Sequence, residues 1–486
     1  MAVSCYGACS PACSSPICHW RTRCATVPSP LNYLRSPGDP HNRRVASQKK
    51  NMAVLIHGGP RLMVTEPNLL PKVALGRHSS SESINLENYR SWVGDQLIDE
   101  IRALSKSLQG LRICQINATA AGGGVAELLS RLIPVHLNLG IKTDWRLIYG
   151  DKDFFAITKS FHNALQGGEL NLTAEAKRAY LERNRMSAEM LPDDYDVFIV
   201  HDPQPLALRH FKDLQRARKW IWRCHIDSSQ PNAEVWEFLR PFVQEYDAAV
   251  FTMKAFVPAD LELSEVIFIP PAIDPVSTKN MELPPEVYRH AIGEMGIDLR
   301  RPLLLQVSRF DPWKDPLGVI RAYQLAKEKM PEIQLAMVGA MAGDDPQGWE
   351  ILEKINEEAA KDSDLYVFTN MTGVGNMEVN AFQRSANVVL QKSIREGFGL
   401  VVAEAFWKTK AVVAGRAGGI PMQFPAGYED YLVESAEDCA KRVLFLLENP
   451  NIAEAFGRAG QAKIRTEFLL PRLIRDELKL IKDVVG

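Results

Sequence analysis

The chain has 486 residues, 46% of them hydrophobic and 24% charged, a balance typical of soluble globular proteins with two or three domains. Its 57 basic and 59 acidic residues give a formal net charge of -2, which excludes a charge-driven case for nucleic acid or a membrane as its main partner. No stretch of sequence reaches the roughly 20 apolar residues that a membrane-spanning helix needs.

The first 50 residues differ in composition from the rest. They hold one acidic residue, Asp39, against seven basic ones, and five of the eight cysteines lie between Cys5 and Cys24. The cysteine spacing fits no zinc pattern, and no apolar signal-peptide core follows a basic start. We expect residues 1–55 to be an extension, either disordered or of the organelle-transit type. The scattered later cysteines indicate a reducing compartment, so we expect a cytoplasmic protein, with organelle targeting as the alternative.

From about residue 90, short apolar runs alternate with longer segments of helical spacing. The predicted strands of the first half are 111–116, 197–200, 220–225, 248–251 and 266–269. A helix is predicted over 125–137, directly after the first of these strands and a run of glycines. This alternation predicts βαβ units and a parallel sheet.

A proline-rich polar stretch, 271–300, separates the first half from a second set of similar units. The predicted strands of the second half are 303–307, 335–338, 365–368, 388–390 and 411–413. The segment 468–485 has apolar residues at helical spacing and should pack back on the body. We therefore predict an α/β protein with two Rossmann-like doubly wound domains, 56–280 and 281–466, and a final helix, 467–486, that returns to the first. Ligands should bind in the cleft between them, beyond the carboxyl ends of the strands.

Two cations, Arg309 and Lys314, lie on the loop that follows the first strand of the second half. A fixed guanidinium and a fixed ammonium stabilise the charge that grows on a diphosphate leaving group as a glycosidic bond breaks. The alternative is a solvated loop that carries two cations without a ligand.

Two glutamates, Glu396 and Glu404, are separated by seven residues around a glycine-rich turn that contains Gly397 and Gly399. Glu396 is predicted on the loop facing the cleft, and Glu404 one turn into the following helix. Carboxylates at these places suit sugar and ribose hydroxyls, while the alternative is an acidic pair that only complements the helix dipole. After the next strand, a glycine pair that includes Gly419 allows close backbone approach to a ligand, or forms an ordinary turn.

In the first half, the glycine run that includes Gly123 and Gly124 opens a helix whose amides are placed to cradle a phosphate or a hydroxyl. His-Asp pairs follow two strands, with Asp202 after the earlier and His225 after the later. Their position on one side of the sheet favours a functional cluster over structural histidines. Their spacing does not match a zinc motif, so we predict no metal site.

The pattern of Arg309, Lys314, Glu396 and Glu404 resembles that of retaining glycosyltransferases with the GT-B fold. A closer similarity is to trehalose synthases of the glycosyltransferring type, carried by segments 158–167, 201–205, 223–229, 270–275, 378–384 and 393–404. The resemblance covers about residues 90–486. It implies a GT-B fold, in which two facing Rossmann-like domains enclose the active site.

This resemblance also implies a reaction. Glucose would pass from a nucleoside-diphosphate-glucose to free glucose, giving α,α-trehalose with retention of configuration. The alternative is a retaining trehalose phosphorylase, which converts trehalose and phosphate to glucose 1-phosphate and glucose. A third hypothesis is a sugar-binding protein without catalytic activity. The resemblance further implies no required cofactor, with Mg²⁺ as an optional activator, and a homodimer. The near-balance of charge gives no case for nucleic-acid or membrane partners.

The roles of individual residues are implied by the same resemblance. Arg309 and Lys314 would hold the diphosphate, Glu404 the ribose, and Glu396 the transferring glucose, while His225 would steady the developing positive charge on that sugar. The full donor-side set is Arg309, Lys314, Glu396, Gly397, Phe398, Gly399, Leu400, Glu404 and Gly419. The set on the acceptor side is Gly123, Gly124, Asn163, Gln166 and Asp202, while His225 approaches the transferring glucose from the first half.

Overall fold

The computed structural model describes residues 61–63, 68–75, 84–121, 123–212, 218–341 and 346–486, all within one unit, Met52–Gly486. The predicted extension 1–55 and Gly122 lie outside the described residues. Two separate sheets with helices on their faces make up this unit, which confirms the predicted α/β class.

In the part of the chain that the structure describes, the first sheet has eight strands in the order β1-β2-β4-β3-β5-β6-β7-β8. Neighbouring strands pair in parallel except at one edge, where β2 pairs antiparallel with both β1 and β4. The central strands are buried along their whole length, as expected where helices cover both faces of a parallel sheet. The strands are β1 Arg61–Met63, β2 Lys72–Ala74, β3 Arg112–Asn117, β4 Lys142–Leu147, β5 Val197–His201, β6 Lys219–Arg223, β7 Ala248–Phe251 and β8 Val266–Phe268.

Among the described residues, six helices of the first half accompany this sheet. The first is interrupted at Gly94, which has a φ of 78° that breaks the helical geometry. Local capping sets the start of the third and fourth, where the side chains of Asp151 and Thr173 accept hydrogen bonds from backbone amides. The helices are α1 Arg90–Ser107, α2 Gly124–Asn138, α3 Lys152–Leu165, α4 Ala174–Glu189, α5 Leu208–Phe211 and α6 Ala233–Val243.

The second sheet has six parallel strands in the order β11-β10-β9-β12-β13-β14. The strand order reverses between β9 and β12, and ligands bind at such switch points. The strands are β9 Leu303–Ser308, β10 Gln334–Gly339, β11 Leu365–Thr369, β12 Val388–Gln391, β13 Ala411–Gly415 and β14 Leu432–Val433. The helices of this half are α7 Pro285–Glu294, α8 Pro316–Lys327, α9 Pro346–Ala359, α10 Asn376–Ser385, α11 Leu400–Trp407, α12 Ala436–Glu448, α13 Pro450–Glu467 and α14 Leu470–Val485.

All ten predicted strands are present, with ends that differ by at most two residues. Four further strands, β1, β2, β4 and β14, were not predicted. Three of them have only two or three residues, too few for a pattern to register. The fourth, β4, reads Lys-Thr-Asp-Trp-Arg-Leu, and its buried Thr143 and Arg146 hide the apolar signal of an inner strand.

The chain passes between the two halves twice, and the two crossings touch. The amide of Ile273 donates to the carbonyl of Phe468, and the amide of Leu470 donates to the carbonyl of Ile273, both at 2.9 Å. Helix α14 then packs its apolar face, including Leu473 and Leu478, into the core of the first sheet. The domain limits 56–280 and 281–466 remain predictions.

Truncating the apolar face of α14 should destabilise the protein. Leu478 is fully buried in the core of the first sheet, whereas its neighbour Lys479 is exposed. We expect Leu478→Ala to lower the free energy of unfolding by about 2–5 kcal/mol, because it removes buried surface and leaves a cavity. The matched variant Lys479→Ala should change it by less than about 0.5 kcal/mol. Urea unfolding followed by fluorescence measures both, and equal effects would contradict the packing of α14.

Candidate functional site

A cleft of about 1540 Å³ lies where the carboxyl ends of the two sheets face each other. Asn163, Asp202 and His225 line it from the first half, and Arg309 and Glu396 line it from the second. The volume exceeds the roughly 300–1,000 Å³ of a typical small-ligand site, so it has room for two substrates together.

Lys314 and Glu396 form the central ion pair of the cleft. The Nζ atom of Lys314 lies 2.7 Å from Oε2 of Glu396, and the hydroxyl of Ser393 donates to the same oxygen at 3.1 Å. The side-chain amide of Gln306 donates to the carbonyl of Lys314 at 3.0 Å and holds that loop at the end of β9. The structure therefore brings together a cation and a carboxylate that are 82 positions apart in sequence.

Arg309 stands beside this pair on a more open part of the same loop. Its side chain is about half exposed, and its guanidinium lies 3.5 Å from the carboxylate of Asp311. An exposed contact of this kind contributes little free energy. The guanidinium can therefore turn towards an anionic ligand at small cost.

Glu404 is almost fully buried on α11 and is held by two side chains. The amide of Gln383 donates to Oε2 at 2.9 Å, and Nζ of Lys279 lies 3.1 Å from Oε1. Lys279 also pairs with Glu127 of α2 at 2.9 Å, so it bridges the two halves of the chain. Burial disfavours the charge on Lys279, but the two carboxylates outweigh burial and raise its pKa.

Sequence reasoning missed Lys279. It lies in the polar connection 271–300, where a single lysine carries no distinguishing signal. Only the fold shows that this connection passes beside the N-terminal end of α2 and the buried carboxylate of α11.

A layer of glycines lets backbone from both halves meet. A Cβ atom at Gly397 would lie 2.3 Å from the carbonyl oxygen of His225, so only glycine permits this approach. Gly419 lies behind that layer, where a Cβ would come within 2.7 Å of the carbonyl oxygen of Gly397. The structure therefore places Gly419 in support of the cleft wall, whereas the other predicted site residues line the cleft itself.

The N-terminal ends of α2 and α11 meet across the cleft. Gly123 precedes α2 with extended backbone, and Gly399, with a φ of 84°, precedes α11. A Cβ at Gly124 would lie 3.3 Å from a methyl carbon of Leu400, so the two first turns are in contact range. Each helix start presents unsatisfied amides and the positive end of its dipole, and both favour an anion between them.

Asp202 and His225 are held together at the ends of β5 and β6. Asp202 has a φ of 63°, and its Oδ1 accepts a hydrogen bond from the His225 amide at 2.9 Å. Burial raises the pKa of Asp202 to about 7, although the His225 amide and the Arg223 charge oppose the shift. Burial and the Arg223 charge hold the pKa of the His225 imidazole well below its usual range, so this ring is neutral.

Helix α3 supplies the remaining wall. Asn163 and Gln166, both predicted, line the cleft together with Lys159 and His162, which were not. Burial, and then the charges of Arg309 and Lys314, lower the pKa of His162 to about 3. Spacings of three and four residues place these side chains on one helix face, a signal that is present in the sequence.

Among the described residues, no three His, Cys, Asp or Glu side chains are grouped so as to hold a metal ion. None of the described helices is both long and apolar enough to cross a membrane.

Comparison with known proteins identifies the family. Residues 115–258 match the family described as trehalose synthase, N-terminal domain, and residues 289–463 match glycosyl transferases group 1. The chain is 48% identical over 408 residues to the trehalose synthase of Rubrobacter xylanophilus, covering 82% of this chain and 97% of that protein. The chain belongs to the trehalose synthase family. It is therefore a glycosyltransferase that carries out trehalose-related glycosyl transfer, as the sequence resemblance implied.

More distant relatives agree with this assignment. The trehalose phosphorylase of Pleurotus pulmonarius is 28% identical over 436 residues, which cover 78% of this chain but only 59% of that protein. Among solved structures, a UDP-forming α,α-trehalose-phosphate synthase from Burkholderia xenovorans in complex with glucose-6-phosphate superposes with a TM-score of 0.62 at 14% identity. The superposition covers 77% of this chain and 100% of the Burkholderia chain. This likeness confirms the predicted GT-B fold.

Adding a methyl group at Gly397 should separate the two walls of the cleft. The new Cβ of Gly397→Ala would clash with the His225 carbonyl, and a displacement of about 1 Å near the reacting atoms can lower turnover about a hundredfold. Gly293→Ala on α7 is the matched control, because a Cβ there meets no atom within 4 Å. Glycosyl transfer and thermal unfolding should be measured for both. Normal transfer by Gly397→Ala would contradict the close approach.

Acceptor binding should depend on pH through Asp202. Its raised pKa means that the carboxyl is protonated below about pH 7 and ionised above it. Since an ionised carboxylate binds sugar hydroxyls more strongly, we expect the acceptor KM to fall about three- to tenfold between pH 6 and pH 8. Asp202→Asn, which keeps an oxygen for the His225 amide, should show a flat profile. The same slope in both proteins would assign the titration to another group.

Proposed function

We propose that this enzyme transfers glucose from a nucleoside-diphosphate-glucose to free glucose and forms α,α-trehalose with retention of configuration. One observation carries the proposal: a single cleft joins the Lys314–Glu396 pair on one wall to Asp202 and the His225 carbonyl on the other. The relatives from Rubrobacter xylanophilus and Thermococcus litoralis are both named trehalose synthase, and the latter is 44% identical over 402 residues.

The donor would bind on the second half. Arg309 and Lys314 would hold the diphosphate, and the facing helix starts at Gly124 and Leu400 would add amide donors to the same anion. Glu404 would bind the ribose, with its carboxylate oriented by Gln383 and Lys279. As the sugar–oxygen bond breaks, negative charge grows where these positive groups already stand, and no solvent needs to reorganise.

The transferring glucose would lie between Glu396 and His225. Glu396 and the amides from Gly397 to Leu400 would bind its hydroxyls, and the His225 carbonyl would face the positive charge that develops on the anomeric carbon. Glu396 is tied by Lys314 and Ser393, which keeps it directed as a hydrogen-bond acceptor. The site thus favours electrostatic stabilisation over covalent catalysis.

The chemical step needs no nucleophile from the protein. The bond between the anomeric carbon and the β-phosphate oxygen breaks, and the acceptor's 1-hydroxyl oxygen bonds to that carbon on the same face. The leaving phosphate oxygen takes the hydroxyl proton. Acceptor glucose would be positioned by Asn163, Gln166, Asp202 and the start of α2.

We further propose that no cofactor is required, with Mg²⁺ an optional activator, and that the enzyme is a homodimer, as the resemblance implies. We also propose that it is cytoplasmic, because its scattered cysteines indicate a reducing compartment. Arg309 and Lys314 supply the positive charge that a metal ion provides in other sugar-nucleotide sites.

A panel of nucleoside-diphosphate-glucoses with glucose, read by product chromatography, tests the reaction. We expect α,α-trehalose from at least one donor. Lys314→Ala should raise the barrier by about 2–4 kcal/mol, as the loss of an oxyanion-type donor does. Lys361→Ala, at an exposed lysine in the turn after α9, should leave turnover unchanged.

Two other outcomes would overturn the proposal. Glucose 1-phosphate formed from trehalose and phosphate, without transfer from any nucleotide donor, would make the enzyme a phosphorylase. Calorimetric sugar binding without turnover in either assay would make it a binding protein.

A further inference from the structure

A chain of buried polar side chains runs from the cleft to the C-terminal helix. The Nε2 atom of His225 lies 2.9 Å from Nδ1 of His201, and Nε2 of His201 lies 2.7 Å from Oε1 of Gln115. The side-chain Nε2 atom of Gln115 donates to Oε1 of Glu477 at 2.8 Å, and Arg223 donates to Oε2 of the same carboxylate at 2.9 Å. The links join β6, β5, β3 and α14, and all but His225 are fully buried.

Each hydrogen bond in this chain has a direction that its neighbours fix. Burial raises the pKa of Glu477, but the Arg223 charge and the hydrogen bonds from Gln115 and Arg223 oppose that shift. They favour the ionised carboxylate, which can only accept. Gln115 must therefore turn its NH₂ group towards Glu477 and its oxygen towards His201. That oxygen also only accepts, so His201 carries its proton on Nε2 and offers Nδ1 as an acceptor.

The same logic determines the state of His225. Because Nδ1 of His201 accepts, Nε2 of His225 must donate, and its own proton lies on Nε2. Burial and the Arg223 charge hold the pKa of both imidazoles well below the usual range, so neither carries a second proton. Nδ1 of His225 is left as a hydrogen-bond acceptor.

Stability alone gives no reason for such a chain. Burying an ion pair costs desolvation that its attraction barely repays, and apolar residues of the same size often serve a core as well or better. The first sheet already has a large apolar core, to which α14 contributes Leu473 and Leu478. A directed set of hydrogen bonds that ends at a cleft residue is better explained by the orientation it imposes.

We propose that Gln115 and Glu477 are positioning residues, which fix the tautomer of His225 through His201 so that Nδ1 of His225 accepts a hydrogen bond from a sugar hydroxyl in the cleft. This inference rests on the proposed function for its effect on catalysis. Its effect on the histidine rings is independent of that function. In this arrangement Glu477 touches no substrate, because the side chains of Gln115, His201 and His225 lie between it and the sugar.

The test compares two isosteric changes at buried glutamines. Gln115→Met removes the acceptor of His201, whereas Gln334→Met removes a buried glutamine of β10 whose partner is the backbone of Asp298. Carbon and nitrogen NMR shifts of labelled histidine rings report which ring nitrogen carries the proton. Spectra of His201→Asn and His225→Asn assign the signals.

We expect both rings of the unsubstituted protein, and of Gln334→Met, to carry the proton on Nε2. Gln115→Met should give mixed tautomers at His201 and His225 and about a tenfold lower kcat, with donor KM within about twofold, since one directed hydrogen bond is lost in the transition state. An Nδ1-protonated His225 in the unsubstituted protein, or equal kcat in the two variants, would overturn the proposal. If the rings behave as expected but no donor supports transfer, the proposed function fails and the hydrogen-bond chain stands.

Discussion

The approach of the His225 carbonyl to Gly397 is the constraint on which the cleft depends. The two groups lie in loops that follow strands of different sheets, yet no side-chain carbon fits between them, and Gly419 repeats the requirement one layer behind. This contact brings the two sheet edges close enough for single side chains to act on the same small volume. The Lys314–Glu396 pair, Asp202 and the helix starts then line one cleft, in which the proposed reaction would break the bond between a sugar and a phosphate.

The charges around the cleft are arranged so that they attract an anionic ligand. They also compensate one another when the cleft is empty, so the protein remains stable. Arg309, Lys314 and two helix starts face the cleft, and unopposed they would repel one another. Glu396 and Glu404 offset them, and Lys279 in turn offsets Glu404 and Glu127. Each carboxylate thus has a cation partner before any ligand arrives. A diphosphate would enter a field that already exists, which is the condition under which electrostatic stabilisation is effective.

What the sequence could predict follows from the range of the interactions. Apolar runs gave the inner strands, and the motifs proposed for the donor could be named because each lies within a short segment, such as 309–314 or 396–404. The bridge made by Lys279 depends on a fold that brings residues 127 and 404 together. Gln115 and Glu477 lie 362 positions apart, and neither stands out from its neighbours. A buried polar strand such as β4 was missed for a related reason, since its partners, not its pattern, explain its polarity.

Helix α14 takes part both in the crossing between the two halves and in the chain of buried polar side chains. It begins directly after the crossing at Leu469, where the backbones of Phe468 and Leu470 hydrogen-bond to Ile273. Any rotation of one half against the other would turn about these paired crossings. Every member of the buried polar chain, from His225 to Glu477, lies on the side of the first sheet. Opening of the cleft would therefore separate Gly397 from the His225 carbonyl without disturbing the imidazole. Under the proposals above, folding sets the orientation of the histidine, and closure of the cleft would only have to bring Glu396 and the bound donor to it.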